Sequence, residues 1–229
     1  MKIAILGLDF PLGKKSLSDE KWEKIREIFH ARQTSPIQIE FLDASHLKDS
    51  DGIIAEKDSQ LDLIIADLEI IENQLAKKPD DALLLRCKDS LDKEIILNEV
   101  PFNEEEKKFL VNINLVTLKP ILLVDKENLP PIPEIMRSIF STCGMISFFT
   151  VNERELRAWQ IRKGTTIYEA AGSIHSDIQR GFIKAEVIGY EDLVKSGGIN
   201  QARSKGLVRL EDKSYIVKDG DLIQIRFNV

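Results

Sequence analysis

Two stretches of the chain hold residue types spaced for chemistry. The first is Gly7-Leu8-Asp9-Phe10-Pro11-Leu12-Gly13-Lys14-Lys15-Ser16. It approximates the phosphate loop G-x-x-x-x-G-K-[ST]. There glycines free backbone N–H groups to surround phosphates, a lysine neutralises them and a hydroxyl binds Mg²⁺. The fit is poor. Gly7 to Gly13 is one residue too long, Lys15 stands at the hydroxyl position and Ser16 follows one late. Pro11 removes a donor N–H from inside the loop, and Asp9 opposes an anion. A slip of one residue moves a ligating group by about 3.3–3.6 Å along extended chain. Gly13, Lys14 and Ser16 are the candidate nucleotide contacts of an altered loop. The simpler reading is a solvated Lys14-Lys15 pair ahead of a helix.

The second stretch gathers Arg154, Arg157, Trp159, Arg162 and Lys163 within ten residues. Strand alternation puts Arg157, Trp159 and Ile161 on one face and Ala158 and Gln160 on the other. An Arg–Trp surface stacks bases and touches phosphates. Glu153 and Glu155 dilute its charge, and Trp159 as a plain core residue is the competing reading.

Other chemistry is sparse. His30, His46 and His175 are the only histidines and lie far apart, so no metal site is expected. His175 suits a capping or buried structural role. Cys87 and Cys143 read as packed thiols; two cysteines cannot build a disulfide framework, which points to a reducing cytosol. No Gly-x-Ser-x-Gly or His-Glu-x-x-His occurs. No window approaches the ~20 apolar residues of a membrane span, and the opening MKIAILGLDF is too short in its apolar run for a signal peptide. The net charge of −6 excludes a strongly basic nucleic-acid binder. Residues 151–229 carry 13 Lys+Arg against 11 Asp+Glu, whereas residues 1–150 carry 19 against 27. A mildly basic C-terminal module follows an acidic N-terminal one.

These residues need elements to place them. Residues 2–8 read as a buried strand. Ser18-Asp19 caps a helix running to about residue 31, with Trp22, Ile25, Ile28 and Phe29 on one face. Residues 37–42 read as a second strand, which gives a βαβ-like opening. Ile64, Leu68, Ile71 and Leu75 form a seam for helix pairing. A second apolar face follows over 81–96, beyond a turn at Lys77-Lys78-Pro79-Asp80. The spacing predicts a helical hairpin over about 60–97, its seam pairing within the hairpin or between two chains of a dimer. Asn103 and Glu106 make a capping-box-like helix start. Residues 121–124 read as a strand, Pro130-Pro131-Ile132-Pro133 as a stiff link and 134–140 as a short helix. Beyond Met145 the pattern predicts strands at 146–151, 158–161 and 182–187, a helix over 167–180, and a hairpin of 215–217 with 222–227 across an Asp-Gly turn. An α/β region over 1–144 and an α+β module over 145–229 follow.

Several separate words of the last 85 residues carry a resemblance: Phe148-Phe149-Thr150, Arg157-Ala158-Trp159, Ala170-Ala171-Gly172, Ile174-His175, Asp177, Gly181-Phe182-Ile183, and Asp219-Gly220-Asp221 before the final Arg226-Phe227-Asn228-Val229. In that order they resemble the C-terminal TGS domain of the YchF family, the Obg-like P-loop ATPases/GTPases. The resemblance implies a ubiquitin-like α+β (β-grasp) TGS domain here. Upstream, Thr117-Leu118-Lys119-Pro120, Ala66-Asp67-Leu68-Glu69, Glu40-Phe41-Leu42-Asp43 and residues 3–7 are similar to segments of the family's G domain, so residues 1–144 read as a shortened remnant of it. The family's cofactor is ATP or GTP with Mg²⁺, for which Gly13, Lys14, Ser16 and Asp43 are the matching positions. Its motifs are damaged, however. His46 replaces the glycine of Asp-x-x-Gly, Lys126 and Leu129 replace the Asn and Glu of the base-reading motif, and the first switch loop is deleted. The combined expectation is a non-catalytic, GTPase-like cytoplasmic protein without a cofactor, which binds RNA, the ribosome or a protein partner. The resemblance raises RNA and the ribosome among these, with Arg154, Arg157, Trp159, Arg162 and Lys163 as the surface. The alternative is a nucleotide-binding ATPase/GTPase with an altered P-loop.

Overall fold

The computed structural model describes residues 1–152 and 154–228. Glu153, weighed above as a charge beside Arg154, and the terminal Val229 lie outside them. The chain divides into two compact units, one made of residues 1–15 and 39–143, the other of 16–38 and 144–229. The sequence places the division at residue 144 alone. It misses that the segment 16–38 belongs to the second unit.

The elements run in order as β1 (Lys2–Leu6), β2 (Gly13–Ser16), α1 (Glu20–Phe29), β3 (Gln33–Ser35), β4 (Gln38–Leu42) and β5 (Gly52–Glu56). Next come α2 (Gln60–Leu75), α3 (Ala82–Asp92), α4 (Glu104–Asn112), β6 (Ile121–Val124) and α5 (Ile132–Thr142). The remainder comprises β7 (Met145–Val151), β8 (Glu155–Arg162), α6 (Ile167–Ile174), α7 (Ser176–Arg180), β9 (Phe182–Ile188), α8 (Tyr190–Ser196), α9 (Ile199–Ser204), β10 (Arg209–Glu211) and β11 (Leu222–Phe227).

The first sheet has the order β2-β4-β1-β5-β6. β1 is parallel to β4 and β5, and β5 is parallel to β6. Ile3 and Ala4 of β1 and Ile53, Ile54 and Ala55 of β5 are fully buried, as parallel strands covered on both faces must be. β5 escapes the sequence reading because its apolar run is only three residues long. Gly52 opens it at a close approach, since a Cβ there would meet Cys143 Sγ at 2.6 Å and the Pro120 carbonyl oxygen at 3.2 Å. α2 and α3 pack on each other in the core. Ile64 and Ile71 of the seam are buried with Leu84, Cys87 and Leu91, and Leu68 and Leu75 pack against that cluster. The seam is therefore consumed within one chain. α4 starts with a full capping box between Asn103 and Glu106. α5 begins at Ile132 rather than 134, because proline is tolerated in a first helical turn.

The second sheet has the order β10-β9-β11-β7-β8-β3. α1 starts where Asp19 accepts from the Trp22 N–H at 2.7 Å and ends at Phe29, with His30 in the left-handed region. It does not serve as the crossover of the first sheet. Its Trp22 ring stacks on Phe149, centroids 6.2 Å apart, and β3 pairs in parallel with β8. The other face of this sheet packs Phe148, Ile161, Phe182, Val187 and Ile223 against Ile167, Ala170 and Ala171 of α6.

Three further expectations need correction. The helix over 167–180 breaks at His175, which is extended and whose Nδ1 accepts from the Asp177 N–H at 3.1 Å; it caps α7 and is exposed rather than buried. Residues 215–217 form no strand beside β11. Instead Ile167 and Val217 donate to the carbonyls of Tyr215 and Thr165, while β11 pairs with β9 and β7. Finally, α8, α9 and β10 lie in a stretch where polar residues and paired glycines hid the periodicity.

Candidate functional site

In open parallel sheets a ligand sits beyond the carboxyl ends of the strands. In the first unit those ends are Leu6-Gly7, Leu42-Asp43, Glu56 and Val124-Asp125. Three of the four end in a carboxylate, and each carboxylate caps a short turn. Asp43 accepts from the Ser45 N–H at 2.9 Å, from the Ser45 hydroxyl and from His46 Nδ1. The Ser45 hydroxyl, then the Ser45 N–H and His46, hold its pKa below the ordinary value. Glu56 is buried and accepts from the Asp58 N–H at 2.8 Å. Asp125 accepts from the Glu127 N–H at 3.0 Å and pairs with Lys57 at 3.7 Å. Gly7, at φ 73°, passes so close to the start of α2 that a Cβ would collide with Ser59 Oγ and touch Glu56 Cβ at 3.0 Å. A row of carboxylates and a closed glycine approach are hostile to a polyphosphate.

Gly13, Lys14 and Ser16 do not stand where a loop turns into a helix. They lie in β2, extended, beside β4 at the edge of the sheet. Gly13 has φ 93° with nothing near it, Lys14 is exposed, and Ser16 Oγ accepts from Gln38 Nε2 at 2.8 Å. The next helix starts beyond the Asp19 cap. A phosphate loop needs its lysine and hydroxyl in the first turn of the following helix, so the geometry expected of an altered loop over 7–16 is not formed. Lys14 and Lys15 sit on a strand that precedes α1 in the chain, with the Asp19 cap between them.

Two other charged residues proved more constrained than the sequence suggested. Lys119 Nζ donates to the carbonyls of Leu47, Lys48 and Ser50 at 2.8, 2.6 and 2.7 Å, and burial lowers its pKa. It clamps the turn that follows Asp43. Asp67, fully buried in α2, accepts from the N–H groups of Val116 and Thr117 and from the Thr117 hydroxyl at 2.9, 2.7 and 2.6 Å. Both sit in the words Thr117–Pro120 and Ala66–Glu69 quoted above, which is the signal that could have found them.

The basic stretch of the second unit is not one patch. Arg154 lies just before β8 and Arg162 at its end, eight residues or about 26 Å of strand apart at ~3.3 Å per residue. Lys163 follows in the turn, where its N–H donates to the Gly144 carbonyl at 2.8 Å. Trp159 pairs across the strands with Phe148, ring centroids 6.3 Å apart, and its indole N–H donates to Thr150 Oγ1 at 2.8 Å. The Arg157 guanidinium lies 4.2 Å from the Trp159 ring centroid. One face of the indole is thus covered by its own neighbour, and Trp159 is half core and half cation–π partner.

The thiols are packed. Burial pushes the Cys87 thiol up to about 11, far from a thiolate at neutral pH, and Cys143 is also buried. Among the described residues no group of three or more His, Cys, Asp or Glu is arranged to hold a metal ion, and no helix is long and apolar enough to cross a membrane.

Comparison with known proteins places this geometry in context. A family model described as YchF-GTPase_C, protein of unknown function (DUF933), matches residues 145–228. The "Ribosome-binding ATPase YchF" of Bacillus subtilis (strain 168) is 29% identical over 330 aligned positions, covering 97% of this chain and 90% of that protein. Those positions outnumber the 229 residues here, so the relative carries internal segments that this chain lacks. The human "Obg-like ATPase 1" is 44% identical over 97 residues, which are 42% of this chain but only 24% of that one. The solved structure of the Schizosaccharomyces pombe YchF GTPase superimposes with a TM-score of 0.83 at 18% identity, covering 99% of this chain and 97% of the other; it shares the mixed α/β fold. The C-terminal family model over residues 145–228 and the match to the Bacillus relative along nearly the whole chain thus make this chain similar to the YchF/Obg-like ATPase family, whose mixed α/β fold it shares.

Proposed function

We propose that this chain is a ribosome-binding protein that does not turn over nucleotide. In this reading residues 1–144 are a reduced G-domain-like region with a helical hairpin over about 60–97. Residues 145–229 are a TGS module of the β-grasp type, with 16–38 added to it. The observation that carries the reading is β2: the residues that should open a phosphate-binding helix form an edge strand. Phosphoryl transfer is almost wholly positioning and charge compensation. Here the lysine and hydroxyl are misplaced, the strand ends bear Asp43, Glu56 and Asp125, and Lys119 holds the turn after Asp43 in place. ATP or GTP with Mg²⁺ does not fit this donor set. The ribosome enters through the relatives, which are named ribosome-binding ATPases, and it is met in the cytoplasm.

Titration calorimetry with ATP and with GTP, each with Mg²⁺, tests the first half. No heat of binding is expected. Micromolar binding abolished by Lys14→Ala would establish the nucleotide-binding alternative instead. Co-sedimentation with ribosomes over a salt series tests the second half. Pelleting is expected at low salt, weakening as salt rises; failure to pellet at low salt sinks the ribosome reading.

A further inference from the structure

A further cluster of cations on the second unit lies on β9, β11 and α9, away from Arg157 and Trp159. In β9, β10 and β11 the register sets Glu186 opposite both Gln224 and Leu210, and Lys184 opposite Arg226. Directly opposed residues share a face of the sheet. Onto that face α9 delivers Arg203. Its Nη2 donates to Glu186 Oε2 at 2.6 Å and to Gln224 Oε1 at 3.0 Å, while Arg226 Nη2 donates to the other oxygen of Glu186. The Glu186 side chain is only 14% exposed, whereas those of Arg203 and Arg226 are 45% and 60% exposed. One carboxylate therefore holds two guanidiniums from below and presents both to solvent. A guanidinium has five N–H donors, so neither is saturated by these contacts. A positive charge is left over.

Beside them runs an open cleft of about 250 Å³, lined by Glu186, Arg203, Val208, Arg209, Leu210 and Arg226. Arg209 is held at its rim by Glu211 at 3.0 Å and by the Tyr215 hydroxyl at 3.1 Å. On the Glu186 face three cations, Lys184, Arg203 and Arg226, thus meet two carboxylates, Glu186 and Asp212, on a chain whose net charge is −6, whereas Arg209, opposite Val187, belongs to the other face with Glu211 and Asp221. Pinned guanidiniums lose little side-chain entropy on binding, and their fork matches a phosphate in two-point contact. The cleft is shallow and its cations are spread along a sheet face. That suits a polyanion laid across it rather than a small anion enclosed.

We infer that Arg203 and Arg226, fixed by Glu186, form a phosphate-binding fork that takes the backbone of RNA. The inference rests on the ribosome-binding reading and supplies its contact surface. The full chain is tested by fluorescence anisotropy with a labelled single-stranded RNA and, in parallel, by ribosome co-sedimentation. The double variant Arg203→Gln/Arg226→Gln is expected to weaken RNA binding by about ten-fold or more and to lower the salt slope by about two. Lys93→Gln, an exposed cation of the first unit paired with Asp89, leaves both unchanged. Glu186→Gln removes the carboxylate that fixes both guanidiniums, so RNA binding weakens although a negative charge is lost, while the salt slope, set by the two arginines, stays. RNA binding that holds or tightens in Glu186→Gln, or unchanged affinity and slope in the double variant, overturns the fork. If ribosomes require the fork while free RNA is ignored, the partner is an acidic protein face and the RNA inference is wrong. If wild type binds RNA through the fork but ignores ribosomes, the fork stands and the ribosome reading falls. If wild type binds neither, both fall.

Discussion

Asp67 and Lys119 are charged groups whose work is structural. Replacing Asp67 with Ala leaves the N–H groups of Val116 and Thr117 and the Thr117 hydroxyl buried without their acceptor. A loss on the order of 3 kcal/mol is expected in urea melts. Burial pushes the Asp67 carboxyl above 3.8, against the pull of its donors. The folded chain keeps that proton at pH values where the unfolded chain has released it. The group's contribution to stability is thus fully present below 3.8 and declines as pH rises through the raised value. The cost of Asp67→Ala should therefore shrink from the acid end of a pH series towards neutrality; a cost that grows with pH contradicts this assignment. Lys119→Met removes the cation shared by three carbonyls. Amide exchange over residues 44–50 is expected to quicken by about ten-fold or more, the equivalent of ~1.4 kcal/mol of local opening, while the protection of α3 stays as it is. At this scale the sequence was informative about type and silent about use. Both residues stand within family-like words, Thr117–Pro120 and Ala66–Glu69, but nothing in their spacing reveals that a lysine faces carbonyls. Trp159 was weighed as both core and surface, and it is some of each.

At the scale of elements, legibility followed the length of the periodic signal. α2, with apolar residues recurring over 16 positions, and the capping box of α4 were readable directly. β5 was not, because a strand buried on both faces shows no alternation and its apolar core spans only Ile53–Ala55. The Asp-Gly turn suggested a hairpin that does not exist. Asp219 is engaged elsewhere: its Oδ1 accepts from the Ser147 N–H at 2.9 Å and from the Ser147 hydroxyl at 3.1 Å, and its Oδ2 pairs with Lys21. Gly220 is needed there for another reason. It sits at φ 92°, where a Cβ would come 2.9 Å from Tyr190 Cβ. The start of α6 offers a simple check on element energetics. Thr166 accepts from the Glu169 N–H and Glu169 returns the bond to the Thr166 N–H. Thr166→Ala should lower stability by about 1 kcal/mol; no change in the melt would mean that packing alone holds that helix.

At the scale of the whole molecule, the altered phosphate loop weighed for residues 7–16 fails in its placement as well as its spacing, because motif spacing assumes a topology. Gly13, Lys14 and Ser16 match a phosphate loop poorly in spacing, and the chain goes from strand to strand there and delivers its next helix to the second unit. The family model covers 145–228, but the compact unit also contains 16–38. Expressed alone, residues 144–229 lack Trp22, which stacks on Phe149, and Lys21, which pairs with Asp219. That fragment is expected to be poorly folded by circular dichroism and to gain structure when a peptide of residues 16–38 is added. A fragment that melts like the intact chain would show 16–38 to be dispensable.

The interleaving of the two units also sets an order of events during synthesis. α1 and β3 leave the ribosome more than a hundred residues before β7 and β8 exist to receive them. At roughly 5–20 residues per second, the nascent helix carries an unburied Trp22 and Ile25 for about 6–25 s before Phe149 emerges. For that interval the apolar face of α1 is on offer to chaperones, and to any other newborn chain nearby.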